Sequence, residues 1–187
     1  MTVFEKAIIF AVRAHQGMRR KSQEVPYIAH PLEVAEICST MTSDPEVLAA
    51  AVLHDTVEDT DVTLEDIRRR FGERVAMLVS SETEDKHPEL PKSDSWRMRK
   101  EESLKELANA TDPGVKILWL SDKLSNIRSF YRAWRIQGNA FWNQFNQKDP
   151  AQQAWYYRSI AELLRELEAH EAWQEFNYDV EAIFKGV

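Results

Sequence analysis

Apolar residues recur along this chain with a helical period, not a strand period. Val3, Ala7, Phe10, Ala11 and Ala14 share one face of a helix predicted over residues 2–16. His30-Pro31 opens a second helix to about Met41. Asp44-Pro45 sets an N-cap residue before a proline at the first helical position, and that helix is expected to reach about Val57. Thr63 with Asp66 has the pattern of a capping box for a short helix ending near Gly72, with helix continuing over 73–82. Residues 84–94 hold two prolines and much charge and read as a loop. Helix resumes from about Ser95 to Asn109. Asp112-Pro113-Gly114 is a turn, and residues 115–136 form the most apolar long helix. A second loop is expected over 137–149. Asp149-Pro150 caps a helix to about His170, and a last helix covers 172–184. Neither a period-2 run nor an Asn-Gly or Asp-Gly hairpin turn stands out. The expectation is an all-α helical bundle of about eight helices, a single domain over 1–187.

Composition narrows the function classes. The 187 residues are 43% hydrophobic and 29% charged, enough to bury a core and stay soluble. Lys+Arg is 24 against 31 Asp+Glu, a net charge of −7. That balance argues against general nucleic-acid binding but leaves room for one small polyanionic ligand held by a local basic cluster. Cys38 is the only cysteine, so no intrachain disulfide can form, which fits a reducing compartment. The first residues mix acid and base into the apolar stretch and read as helix, not as a signal peptide. No window approaches the roughly 18 apolar residues of a membrane span. A cytoplasmic protein without membrane or nucleic-acid partners is expected. A homo-oligomer is compatible with the sequence.

Chemistry concentrates in three places. Val47 to Leu53 is wholly small or apolar and leads straight into His54, Asp55, Glu58 and Asp59. A helix apolar on all sides is normally buried. Its end would carry a His and three carboxylates into a concave site, where a cation or shared protons must compensate the clustered charge, a bound metal being the simplest answer. If the helix persisted, His54 would stack over Glu58 and Asp55 over Asp59. The alternative is an exposed helix end. The second place is His30 before Pro31, a ligand or a satisfied structural residue. The third is Asp122, which interrupts a very apolar helix and either pairs with a base such as Lys123 or binds a metal.

Three motifs together resemble one family. The run Arg20-Lys21-Ser22 … Pro26-Tyr27-Ile28-Ala29-His30-Pro31-Leu32, then His54-Asp55-Thr56-Val57-Glu58-Asp59-Thr60, then Asp122-Lys123-Leu124-Ser125-Asn126-Ile127-Arg128, resembles the hydrolase domain of RelA/SpoT proteins, within the HD-domain phosphohydrolase superfamily. The likeness covers about residues 3–132. It implies metal ligands at His30, His54, Asp55 and Asp122, and a catalytic pair at Glu58 and Asp59. It implies one Mn²⁺ ion, for which imidazole and carboxylate donors are suited. It further implies a nucleotide substrate met by Arg20, Lys21, Ser22, Asn126 and Arg128, with Lys86 as a further cation. Arg128 could equally form a surface salt bridge.

At this length the chain resembles the small alarmone hydrolases of the metazoan SpoT-homologue type. That implies removal of the 3′-pyrophosphate from (p)ppGpp, leaving GDP or GTP and pyrophosphate. The chain departs from the family around the pocket. Gln23 follows Arg-Lys-Ser where Gly is usual, Ser125 stands where the long members have His, and Ser80-Ser81-Glu82-Thr83-Glu84-Asp85-Lys86 replaces the usual Gly-Val-Thr-Lys. Rival readings keep the metal site for a pyrophosphorylated adenosine nucleotide or the 2′-phosphate of NADPH, or make the domain a silent nucleotide sensor. The six tryptophans read as core and helix contacts; the aromatic 137–157 segment reads as pocket wall, dimer contact or core, with core the default.

Overall fold

The computed structural model describes residues 1–20, 25–84 and 92–187. Among the described residues there is no strand, only an isolated antiparallel bridge between Arg19 and Pro26. The chain forms two compact units, Met1–Thr83 with Thr111–Ser125, and Glu84–Ala110 with Asn126–Val187.

In the first unit, α1 (Val3–Ala14) starts on a capping box between Thr2 and Glu5. Then come α2 (Ala29–Ser39), α3 (Pro45–Leu53), α4 (Thr56–Asp59), α5 (Leu64–Phe71) and α6 (Glu73–Ser80). The Asp44 side chain caps α3 by accepting from the Glu46 N–H, with Pro45 at the first helical position. Helix α3 buries Val47 and every residue from Ala49 to Leu53, and it packs against α1, α2 and α6. The Thr63–Asp66 capping box opens α5. Gly72, at φ +96°, ends α5 and begins α6 at once, so the helices abut without a loop. Arg74 on α6 clamps the unit: it donates to Asp44 at 2.6 Å, to Glu46 at 3.1 Å and to Asp112 at 2.8 Å.

One predicted helix is split. The expected run from 44 to 57 ends at Leu53, and Thr56–Asp59 forms a separate short helix. The backbone drifts to the edge of the helical region at Asp55 (φ −88°, ψ −6°), and the Thr56 hydroxyl donates back to the Leu53 carbonyl at 2.6 Å, satisfying an acceptor the break exposes. The stacking expected of a continuous helix is therefore replaced by a corner.

In the second unit, α7 covers Lys92–Asn109 and α8 (Pro113–Gln137) contributes from Asn126 onward. Gly138, at φ +58°, ends α8, and Gly138–Gln144 is a 3-10 helix where a loop was expected. That turn lets Phe141 and Trp142 enter the core, where Phe141 lies 5.3 Å edge-to-face from Phe130 and Trp142 stacks on Phe184. Of the aromatic residues in 137–157, Phe141, Trp142, Tyr156 and Tyr157 are thus core. Helix α9 (Pro150–Leu163) ends short of the expected His170, and a 3-10 turn at Arg165–Leu167 leads to α10 (Glu171–Ile183). No described helix is long and apolar enough to cross a membrane.

Candidate metal centre and acidic cleft

The first unit brings His30, His54, Asp55 and Asp122 to one point from three elements. His30 lies in the first turn of α2, His54 and Asp55 at the corner after α3, and Asp122 on α8. His30 Nε2 stands 3.0 Å from Asp122 Oδ1 and 3.5 Å from Asp55 Oδ2. His54 Nε2 stands 3.0 Å from Asp55 Oδ2 and 3.4 Å from Asp122 Oδ1. Both imidazoles and Asp122 are buried, and Asp55 is half-buried. His30, His54 and Asp122 together satisfy the spacing of a metal-binding group.

The second nitrogen of each ring fixes its tautomer. His54 Nδ1 lies 2.8 Å from the Ala51 carbonyl, which can only accept, so Nδ1 carries the proton. His30 Nδ1 lies 2.8 Å from Ser125 Oγ. Ser125 gives its only proton to Glu33 Oε2 at 2.8 Å, so here too Nδ1 is the donor. Both Nε2 atoms are thereby turned toward the carboxylates. Rings held this way by an outer partner are the usual design of histidine metal ligands.

The electrostatics make the same demand. Burial disfavours charge on His54, yet Asp55 and Asp122 outweigh it and raise that imidazole well above its usual range. Burial likewise opposes ionisation of Asp55 and Asp122. The His54 imidazole nonetheless holds Asp55 far down, and Lys123, with His30 and His54, holds Asp122 well below the usual carboxylate range. His54 Nε2 is a buried nitrogen without a hydrogen-bond partner. Two carboxylates and two imidazole Nε2 atoms, freed of a proton when a cation takes its place, suit a divalent ion with N/O preferences. The sequence offered Asp122 either Lys123 or a metal. The structure gives it both faces: Oδ2 accepts from Lys123 at 2.6 Å while Oδ1 faces the histidines.

Glu58 and Asp59 sit on α4 and line a cleft of about 700 Å³ with Phe10, Ala14, Met18 and Arg70. That is within the size of small-ligand sites. Tyr27 joins cleft and cluster. Its hydroxyl donates to Asp55 Oδ2 at 2.5 Å, and burial first, then Asp55 and Asp59, push the phenol far above its usual range. Arg20 is half-buried, its N–H donating to the Val25 carbonyl at 3.2 Å. Lys21, Ser22 and Lys86 lie outside the described residues. Asn126 and Arg128 belong to the second unit. Arg128 there forms a bidentate pair with Glu175, at 2.7 and 2.6 Å, the salt bridge that the sequence left open.

Sequence reasoning missed the supporting residues. Ser125 lies three residues after Asp122, and Glu33 three after His30, so helical spacing was a signal for both. Glu82 carried no such signal, because only the fold brings the turn after α6 to α8.

The HD domain family profile matches residues 7–145. Among relatives, guanosine-3′,5′-bis(diphosphate) 3′-pyrophosphohydrolase MESH1 of Homo sapiens is 44% identical over 130 residues, 68% of this chain and 69% of that protein. The guanosine-3′,5′-bis(diphosphate) 3′-pyrophosphohydrolase of Aquifex aeolicus is 42% identical over 127 residues, 68% of this chain but 18% of that protein. A solved structure of a metazoan SpoT orthologue, which hydrolyses ppGpp, superposes with a TM-score of 0.73 at 28% identity, covering 99% of this chain and 95% of that one. The crystal structure of lmo0812 from Listeria monocytogenes EGD-e gives 0.72 at 34% identity over 83% of this chain and 99% of that one.

Proposed function

This chain belongs to the HD domain family, and on that premise we propose that it is a metal-dependent hydrolase that removes the 3′-pyrophosphate of (p)ppGpp, yielding GDP or GTP and pyrophosphate. The observation that carries the proposal is the convergence of two buried imidazole Nε2 atoms with Asp55 and Asp122 in a chain so similar to a named ppGpp pyrophosphohydrolase. Mn²⁺, one ion per chain, and a cytoplasmic setting belong to the same proposal. So does the reading of residues 1–187 as one domain, which the likeness along 99% of the chain supports.

In this mechanism His30, His54, Asp55 and Asp122 would hold the ion. When bound, a divalent cation supplies Lewis-acid charge at a phosphoryl oxygen and eases loss of a proton from water. Glu58 and Asp59 handle the protons. Between them they accept one from the attacking water and return one to the ribose 3′ oxygen as pyrophosphate leaves. Tyr27 holds Asp55 in place through its hydroxyl. Arg20, Lys21 and Ser22 bind the polyanion.

The test is direct. Metal-stripped protein is given Mn²⁺ and ppGpp, and the products are analysed for pyrophosphate. A panel with pyrophosphorylated adenosine nucleotides and NADPH runs alongside. Pyrophosphate release from ppGpp is the expected result. Release of phosphate from NADPH alone, or no release from any of them, overturns the proposal.

A further inference from the structure

The turn after α6 carries a buried carboxylate that the proposed mechanism does not use. The Glu82 side chain is 2% exposed, and its Oε2 accepts from Lys123 Nζ at 3.0 Å. Its other oxygen, Oε1, is buried without a hydrogen-bond partner. Burying a carboxylate this completely is unfavourable unless it meets a cation, and Lys123 is that cation. Lys123 in turn lies in a slot. Its ammonium is 2.6 Å from Asp122 Oδ2 and 4.6 Å from the centre of the Trp119 ring. The Trp119 indole N–H donates to the Ser81 carbonyl at 3.0 Å, which pins the turn carrying Glu82 onto α8.

We propose that Glu82 is a positioning residue for the metal centre, acting through Lys123 on Asp122. Two effects follow from the geometry. The ammonium, held between two carboxylates, fixes the rotation of Asp122 so that Oδ1 faces His30 at 3.0 Å. Glu82 also offsets the ammonium's charge. Without it, a full positive charge stands 2.6 Å from a carboxylate that has to serve a second cation, and it competes with that cation for the same electrons. A valine at position 82 could not hold the ammonium.

The inference rests on the metal-centre reading above, and its test uses Mn²⁺ alone with the full chain. Mn²⁺ is titrated into metal-stripped wild type, Glu82→Val, Glu82→Gln, Lys123→Met and the Glu82→Val/Lys123→Met double variant, each checked for fold by circular dichroism. Glu82→Val weakens Mn²⁺ binding about tenfold or more, the range for a lost outer partner of a metal ligand. Glu82→Gln, which keeps the hydrogen bond but not the charge, loses part of that. In the Lys123→Met background the Glu82 substitution shifts affinity by less than about twofold, because the effect travels through Lys123. A folded Glu82→Val that binds Mn²⁺ like wild type overturns the inference. So does an equal loss with and without Lys123. Should Glu82→Val not fold, Glu82→Gln in both backgrounds gives the same comparison. A wild type that binds no Mn²⁺ overturns both this inference and the metal-centre reading. A wild type that binds Mn²⁺ but releases no pyrophosphate overturns the substrate reading alone, since no nucleotide enters the Glu82 measurement.

Discussion

Replacing Ser125 with alanine removes the oxygen that joins His30 to Glu33. His30 Nδ1–H loses an acceptor at 2.8 Å, and Glu33 loses a donor at 2.8 Å. His30 is 3% exposed, so water does not readily take the place of Ser125. An unmet buried donor costs about 1–3 kcal/mol. The metal-free protein can avoid that cost by moving the ring proton to Nε2, where Asp122 Oδ1 waits at 3.0 Å. The metal-bound protein cannot, because the cation needs the Nε2 lone pair. The cost therefore falls on the bound state and is read as lost affinity, about 10–100-fold for an outer partner of this kind. Calorimetric titration of Mn²⁺ into metal-stripped wild type and Ser125→Ala measures it. Melting curves should show little change without metal and a smaller metal-dependent rise in Tm for the variant. Ser125→Thr keeps a hydroxyl and should retain most of the affinity. A Ser125→Ala protein that binds Mn²⁺ within about twofold of wild type refutes the chain of reasoning from Glu33 to the ligand.

Exchanging Glu58 for Gln together with Asp59 for Asn should keep metal content and cut turnover of ppGpp by roughly 10²–10⁴, the range for lost acid–base help; unchanged turnover would make the pair bystanders. Arg20→Ala with Lys21→Ala should raise KM for ppGpp at least about tenfold, about 1.4 kcal/mol, without changing metal content, and a KM unmoved at low salt removes this segment from the pocket. Arg74→Met should lower stability at pH 7 by about 1–2 kcal/mol, the low end for charge-assisted bonds because the cluster is about one-third exposed. Burial pushes Asp44 up, but the Arg74 hydrogen bond and charge together with the backbone N–H bonds of α3 outweigh it, and Arg74 is the leading cause holding Asp112 down. Depressed carboxylates stabilise the fold above their unfolded values and lose that contribution as pH falls through the folded ones. Denaturation at several pH values should therefore show the wild-type advantage shrinking below about pH 4, and an advantage constant from pH 7 to 3 refutes it.

The helices were legible where one residue's local chemistry decides. Asp44-Pro45 and Thr63 with Asp66 announce starts whatever surrounds them. The break after Leu53 was not legible, because nothing in Leu53-His54-Asp55-Thr56 forbids helix. The break is fixed by what the corner must reach, two elements distant in sequence. The same division holds in the centre itself. His54 and Asp55 drew attention as polar residues closing an apolar run, and Asp122 as an acid within one. Glu82 had no such contrast with its neighbours, and its place beside Lys123 comes from Trp119 binding the Ser81 carbonyl, a contact across 38 residues.

The corner also explains how neighbouring residues share one point. On a continuous helix His54 and Asp55 would project roughly 100° apart, and only one of them could face His30 and Asp122. Ending α3 at Leu53 turns Asp55 back, so that its Oδ2 comes within 3.0 Å of His54 Nε2 and 3.5 Å of His30 Nε2. The turn is held from outside the donor set, by Thr56 on the Leu53 carbonyl and by Tyr27 on Asp55. It also begins α4 anew, which sets Glu58 and Asp59 against the cleft instead of over the donors. One backbone corner thus separates the carboxylates: Asp55 is drawn inward to the histidines, and Glu58 and Asp59 face the cleft. A chain with net charge −7 that takes a polyanion needs that separation, since carboxylates left facing the phosphates without a cation between them would repel the substrate.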